Sequence, residues 1–181
     1  MFSKVLIKLI DQAIIPAIVL LATRIVSLVL VSNQYGYSYS VGATGFTVNS
    51  PEEVANLNSY STLFMAIVLA LGLTYILIKA LVFHDSHISP STTAKLYSLK
   101  FDYLIQNSYK LYTQGSVWLS YLYLLTVFSG YMALNQIAYI WVFYITFLLS
   151  LILTVLFVMD VEHEMAINKR EFEEAGYDSE N

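Results

Sequence analysis

Residues 137–159 carry no charge, and aliphatic or aromatic side chains fall on every face a helix could offer. About 23 residues at a rise of ~1.5 Å reach roughly 34 Å, enough to cross a hydrocarbon core of about 30 Å. A helix that is apolar all round has no side to show to water, so it belongs in lipid or a deep interior. The rest of the chain decides for lipid. Of 181 residues 57% are hydrophobic and 12% charged, against about 25% charged in an ordinary soluble domain. Three further apolar runs occupy 12–32, 61–84 and 117–134. The sequence therefore predicts an all-α integral membrane protein with four transmembrane helices: 12–32, 61–84, 117–134 and 137–160.

The segments between them have distinct characters. Residues 1–11 hold Lys4 and Lys8. A cleavable signal is not expected, because the apolar run continues past Arg24 to Val31 without a small-x-small site. Pro16 falls near the expected start of the first span, where a lost backbone bond does least harm. Residues 33–60 form a polar loop. Alternating aromatic or β-branched and small polar residues suggest a hairpin (35–41 and 45–48) around Gly42 and Gly45. Ser50-Pro51-Glu52-Glu53 then reads as a helix start, with Ser50 as cap, Pro51 in the first turn and Glu53 closing a capping box.

Ser89-Pro90 interrupts the loop 85–116. Beyond it Tyr97, Phe101, Leu104, Ile105, Ser108, Leu111 and Tyr112 recur on one helical face, with Lys95, Ser98, Asp102 and Gln106 on the other. This spacing predicts one amphipathic helix lying at the membrane interface. Asn135-Gln136 leaves room only for a tight turn. In the acidic tail, 161–181, Val161, Met165, Phe172 and Ala175 make a narrow apolar stripe. Lys169/Glu173 and Arg170/Glu174 are i,i+4 pairs, so the fourth helix is expected to protrude until Gly176 stops it.

Basic residues set the orientation. Lys4 and Lys8, then Lys95, Lys100 and Lys110, then Lys169 and Arg170 alternate with loops holding none. Both termini are therefore expected in the cytoplasm. Trp118 and Trp141 then fall near opposite interfaces.

Chemistry is sparse. Without cysteine there is no disulfide, thiolate ligand or cysteine nucleophile. No basic run invites nucleic acid, and no phosphate loop, nucleophile elbow or HExxH is present. No catalytic residue is assigned, no enzyme is expected, and no motif points to a cofactor. The sharpest constellation is a layer at the cytoplasmic boundary. His84 and His87 end the second span; Asp160 and His163, with Glu164 nearby, end the fourth. Spacing of i,i+3 puts each pair on one face, and the set would suit zinc or iron. The plainer and preferred account is that polar residues gather where helices leave a membrane.

Arg24, Asp11 and Lys79 are the charges expected in the membrane or at its edge. For Arg24, hydrogen bonding to Tyr131, Asn135 or Gln136, or snorkelling to the surface, is preferred over an anion or subunit contact. Asp11 and Lys79 lie at similar depths, which predicts a salt bridge more readily than a proton relay. Tyr75, Tyr121, Tyr123, Tyr139 and Tyr144 are expected to pack or anchor rather than line a pore or bind a quinone. Ala66, Ala70 and Ser129-Gly130 offer close helix contact.

The expected function is a non-catalytic accessory or scaffolding subunit of a larger membrane complex, docking through Met165 and Phe172. Its partners are other membrane subunits or itself, together with the lipid bilayer. A small homo-oligomeric channel or transporter is the alternative, and a metalloprotein using the histidine layer the second. The expected location is a prokaryotic plasma membrane, with an organelle inner membrane as the alternative.

Overall fold

The computed structural model describes residues 2–42, 45–83, 88–101, 105 and 108–178. In order, the elements are α1 (Phe2–Tyr35), β1 (Tyr39–Gly42), β2 (Gly45–Val48), α2 (Pro51–Phe83), α3 (Pro90–Ser98), α4 (Ser108–Leu134) and α5 (Ile140–Asp178). Four helices are long and apolar enough to cross a membrane, over Ile10–Tyr35, Pro51–Leu81, Lys110–Leu134 and Ile140–His163.

α2 and α4 pack on one another, and each also packs on α1 and on α5. The bundle is thus a central pair flanked on opposite sides by its first and last helices. Leucines from all four helices meet in the middle: Leu20, Leu69, Leu73, Leu122 and Leu153, closed by Phe157. Aromatic rings lie against two of the helix glycines. A Cβ on Gly72 would stand 2.0 Å from the Trp118 ring, and one on Gly115 would stand 2.3 Å from Phe157. Both glycines are therefore required by packing. Ala66 and Ser129 are wholly buried in helix contacts as expected.

The helix starts follow the sequence closely. Ser50 Oγ accepts from the Glu53 amide at 3.2 Å. Glu53 Oε2 reaches back to the Asn49 amide at 3.0 Å, one residue before the cap's own. The expected hairpin forms later than the alternation suggested. Tyr35 still belongs to α1, and the strands pair Tyr39 with Val48 and Val41 with Phe46. Tyr39 and Phe46 stack with centroids 4.7 Å apart.

Two expectations change. α1 begins at Phe2, so 1–11 is helical for nearly its whole length. Pro16 lies deep inside that helix, where it removes the amide that would bond to the Gln12 carbonyl. The amphipathic stripe is not one helix either. α3 stops at Ser98, and Lys100 takes a left-handed conformation with φ 60°. The Phe101 amide bonds to Leu96 O at 2.9 Å and the Lys100 amide to Tyr97 O at 3.1 Å, a Schellman end built without glycine. Leu111 and Tyr112 belong to α4. Leu111 is buried in the bundle, and Tyr112 meets Phe157 edge-on at 5.9 Å. The same cap recurs at Gly36 after α1 and at Gln136 after α4. The Gln136 cap gives the expected tight turn into α5.

Candidate functional site

The bundle has two ends: one bears the hairpin and the α4–α5 turn, the other bears both chain termini. Between them the buried polar groups look inward to their own helices. Ser59, Thr126, Ser129, Thr146 and Ser150 each donate to a carbonyl three or four residues earlier, at 2.7 to 2.9 Å. Ser129 and Thr146 also meet across α4 and α5 at 2.9 Å. Such back-bonding satisfies hydroxyls without water. Tyr75, Tyr123 and Tyr144 lie on the outer surface. Tyr121 donates to the Ala13 carbonyl of α1 at 3.2 Å, a packing role.

At the hairpin end Arg24 is the organising charge. Its guanidinium donates to Asn58 Oδ1 and to Ser61 Oγ, both on α2. Asn58 passes the connection on, donating to the Ile137 carbonyl in the α4–α5 turn at 2.8 Å. The neighbouring Ser59 accepts from the Tyr139 amide at 2.7 Å, satisfying an amide just ahead of α5. The partners of Arg24 are thus α2 residues rather than the expected Tyr131, Asn135 or Gln136. Asn135 instead bonds to the Tyr131 carbonyl of its own helix at 2.8 Å.

An aromatic chain covers this network. Tyr35 stacks on Tyr37 at 5.5 Å and meets Tyr60 at 5.7 Å, and Tyr60 meets Trp141 at 5.7 Å. Asn56 donates to the Tyr37 hydroxyl at 3.1 Å. Desolvation raises the Tyr37 phenol above its ordinary pKa, with the hydrogen bond from Asn56 opposing it and Glu53 and Glu52 adding to the rise. At this end Arg24, Asn58 and Ser59 all find their partners within the fold.

The termini end is different. A cleft of about 690 Å³ opens between α1, α2 and α4. Asp11 and Gln12 of α1, Lys79 of α2, and Lys110 and Gln114 of α4 surround its polar part. Ile15, Leu71, Gly72 and Trp118 form its apolar part. Lys79 is only 7% exposed. Its ammonium lies 5.5 Å from the Tyr75 ring centroid, a cation–π contact with a ring one turn away. Asp11 and Lys79 do line one cleft, as their matched depths suggest. Yet among the described residues no ion pair joins them, so the expected salt bridge is absent. Gln12 Oε1 is buried and has no hydrogen-bond partner among the described residues. Gln12, Lys110 and Trp118 were not singled out by the sequence as neighbours of Lys79. By the apolar boundaries of the sequence Lys110 falls in the loop before the third span; α4 starts earlier, at Ser108, and its contact with α1 and α2 brings Lys110 to the same cleft.

A second, more apolar cleft of about 500 Å³ lies between α2 and α5. Asp160 and His163 stand at its rim beside Leu77, Leu81 and Met159. His84 and His87 lie outside the described residues, as does the Glu164 side chain. Among the described residues no three His, Cys, Asp or Glu side chains form a group that could hold a metal ion. Met165 lies beyond this cleft on α5 and is 59% exposed. Phe172 is in the same helix, with its side chain outside the described set.

Compared with protein-family models, curated proteins and solved structures, the chain shows no match.

Proposed function

We propose that this chain is a non-catalytic accessory or scaffolding subunit of a larger membrane complex, a multi-pass protein of a prokaryotic plasma membrane with both termini in the cytoplasm. One observation carries the reading. The apolar part of α5 ends at His163 but the helix continues to Asp178, fifteen residues further. At ~1.5 Å per residue that is a further helical length of about 22 Å beyond the apolar segment. It starts with Met165 exposed, and the sequence continues the stripe through Phe172 and Ala175. An isolated amphipathic rod gains most of its helical stability by packing against something, and a partner subunit supplies that surface.

Two features support this. Most buried hydroxyls bond within their own helices and leucines fill the centre, which among the described residues favours packing over a polar path through one chain. The basic residues Lys95, Lys100, Lys110, Lys169 and Arg170 all fall on the termini side, which favours cytoplasmic placement of that side.

The test is native mass spectrometry of the complex, extracted in mild detergent through a tag on the chain. Stoichiometric foreign subunits are expected. In the double variant Met165→Asp/Phe172→Asp they should dissociate while the helical content and melting of the bundle stay unchanged. Unaltered association would overturn docking through α5. A clean homo-oligomer without foreign subunits would overturn the accessory role itself.

A further inference from the structure

We propose that the cleft between α1, α2 and α4 is a binding site for the headgroup of an anionic phospholipid. The argument starts from Lys79. Its side chain is largely buried, and an ammonium carried into apolar surroundings costs free energy unless it is paired and hydrogen-bonded. Lys79 has the Tyr75 ring but neither a hydrogen bond nor an ion pair with any described residue. Its ammonium faces a cleft large enough to admit a ligand.

The second observation is the company it keeps. Lys110 approaches from α4 closely enough for the two cations to repel one another. Asp11 is the acid that lines the same cleft. A single anion between Lys79 and Lys110 turns that repulsion into attraction. The third observation is Gln12, whose buried Oε1 lacks a donor among the described residues. A headgroup hydroxyl supplies one, as in a glycerol headgroup.

The shape distinguishes a lipid from a free anion. Asp11, Lys79 and Lys110 lie within a residue or two of the ends of the apolar segments of α1, α2 and α4. That is the depth at which a bilayer keeps its phosphates. From there the wall turns apolar along Ile15, Leu71 and the Trp118 ring, where an acyl chain would lie. The absence of a side chain at Gly72 lets that ring lie against α2. A basic mouth leading to an apolar wall between membrane helices matches the two ends of a phospholipid.

The experiment uses the full chain in a neutral detergent, titrated separately with phosphatidylglycerol, phosphatidylcholine and inorganic phosphate, with bound mass read by native mass spectrometry. One phosphatidylglycerol should bind about tenfold more tightly than phosphatidylcholine. Lys79→Gln should lose about five- to tenfold in affinity, at roughly one lysine–anion contact. Lys79→Arg should retain it, and Lys95→Gln on α3 should change nothing. Should Lys79→Gln not give monodisperse protein, Lys110→Gln reports on the same anion from α4. Equal affinity for both lipids, or indifference to both lysine variants, would overturn the site. Inorganic phosphate binding as tightly as the lipid, with the same loss in Lys79→Gln, would overturn the lipid as its occupant. None of these outcomes depends on α5 docking, so this site and the accessory role stand or fall separately.

Discussion

Arg24 and Lys79 are both cations within apolar helices, yet they sit in opposite circumstances. Arg24, near the hairpin end, has its guanidinium met by an amide and a hydroxyl of α2. Lys79, near the termini end, has a ring beside it and an open cleft before it. The planar guanidinium divides its donors between two fixed acceptors, whereas an ammonium is a point charge on a flexible stem whose three donors can turn toward whatever anion enters. The difference teaches that an intramembrane charge is not by itself a sign of function. What matters is whether the fold has already satisfied it. By that measure the hairpin end is structural and the termini end is where a ligand is wanted.

The largest effect expected from this contrast is at Asn58. This one side chain accepts from Arg24 and donates to the Ile137 carbonyl, so it joins α1, α2 and the α4–α5 turn. Asn58→Ala strips an acceptor from a half-buried cation and a donor from a turn carbonyl. The expected loss is about 2–4 kcal/mol, since hydrogen bonds to charged groups weigh about 1.5–3 kcal/mol each. Denaturant titration in detergent micelles, followed by circular dichroism, measures it. A loss below about 1 kcal/mol would mean that Arg24 is held by water or lipid phosphate instead, and the contrast between the two ends would collapse.

Next comes Gly72, which belongs to the wall of the cleft. A methyl group there would overlap the Trp118 ring. Gly72→Ala forces the ring or α4 to move and is expected to cost about 1–3 kcal/mol, the usual range for overpacking. It should also shift the emission of Trp118, measured in a Trp141→Phe background. An unchanged melting point and spectrum would show that α2 and α4 are further apart than the Trp118 contact requires.

How much of this was legible in the sequence follows from which forces act locally. The four apolar segments could be read because a lipid-spanning helix must satisfy its backbone within itself. The Ser50–Glu53 start could be read because capping needs only neighbours in sequence. The break after Ser98 could not, because the apolar stripe keeps its helical phase straight through Lys100, a residue with no special liking for a left-handed φ. Arg24 could be recognised as costly, but its partner could not be named. That depends on which helix stands beside α1, and nothing in the spacing of residues encodes the order of the bundle. For the same reason Asp11 and Lys79 could be matched in depth but not in contact. Depth is counted along one helix, whereas pairing needs the distance and direction between two. Lys110 and Gln12 complete the cleft only because α4 runs beside both α1 and α2.

The smallest effect sharpens the comparison most, because its sign differs. Lys79→Met removes the ammonium of a largely buried side chain, one with no hydrogen bond or ion pair among the described residues, and replaces it with a flexible apolar chain of similar length. Replacing buried charge by well-packed apolar groups is often neutral or stabilising. In a zwitterionic detergent, free of anionic lipid, Lys79→Met is therefore expected to raise stability by about 1 kcal/mol, while Arg24→Met lowers it. Adding phosphatidylglycerol should reverse the order for Lys79. A ligand that binds only the folded state stabilises it by mass action, so the parent protein should gain and Lys79→Met should not. Melting temperatures of both proteins with and without the lipid give all four values. Should Lys79→Met melt well below the parent in the absence of lipid, Lys79 is a structural cation like Arg24, and the two ends of the bundle differ in shape but not in purpose.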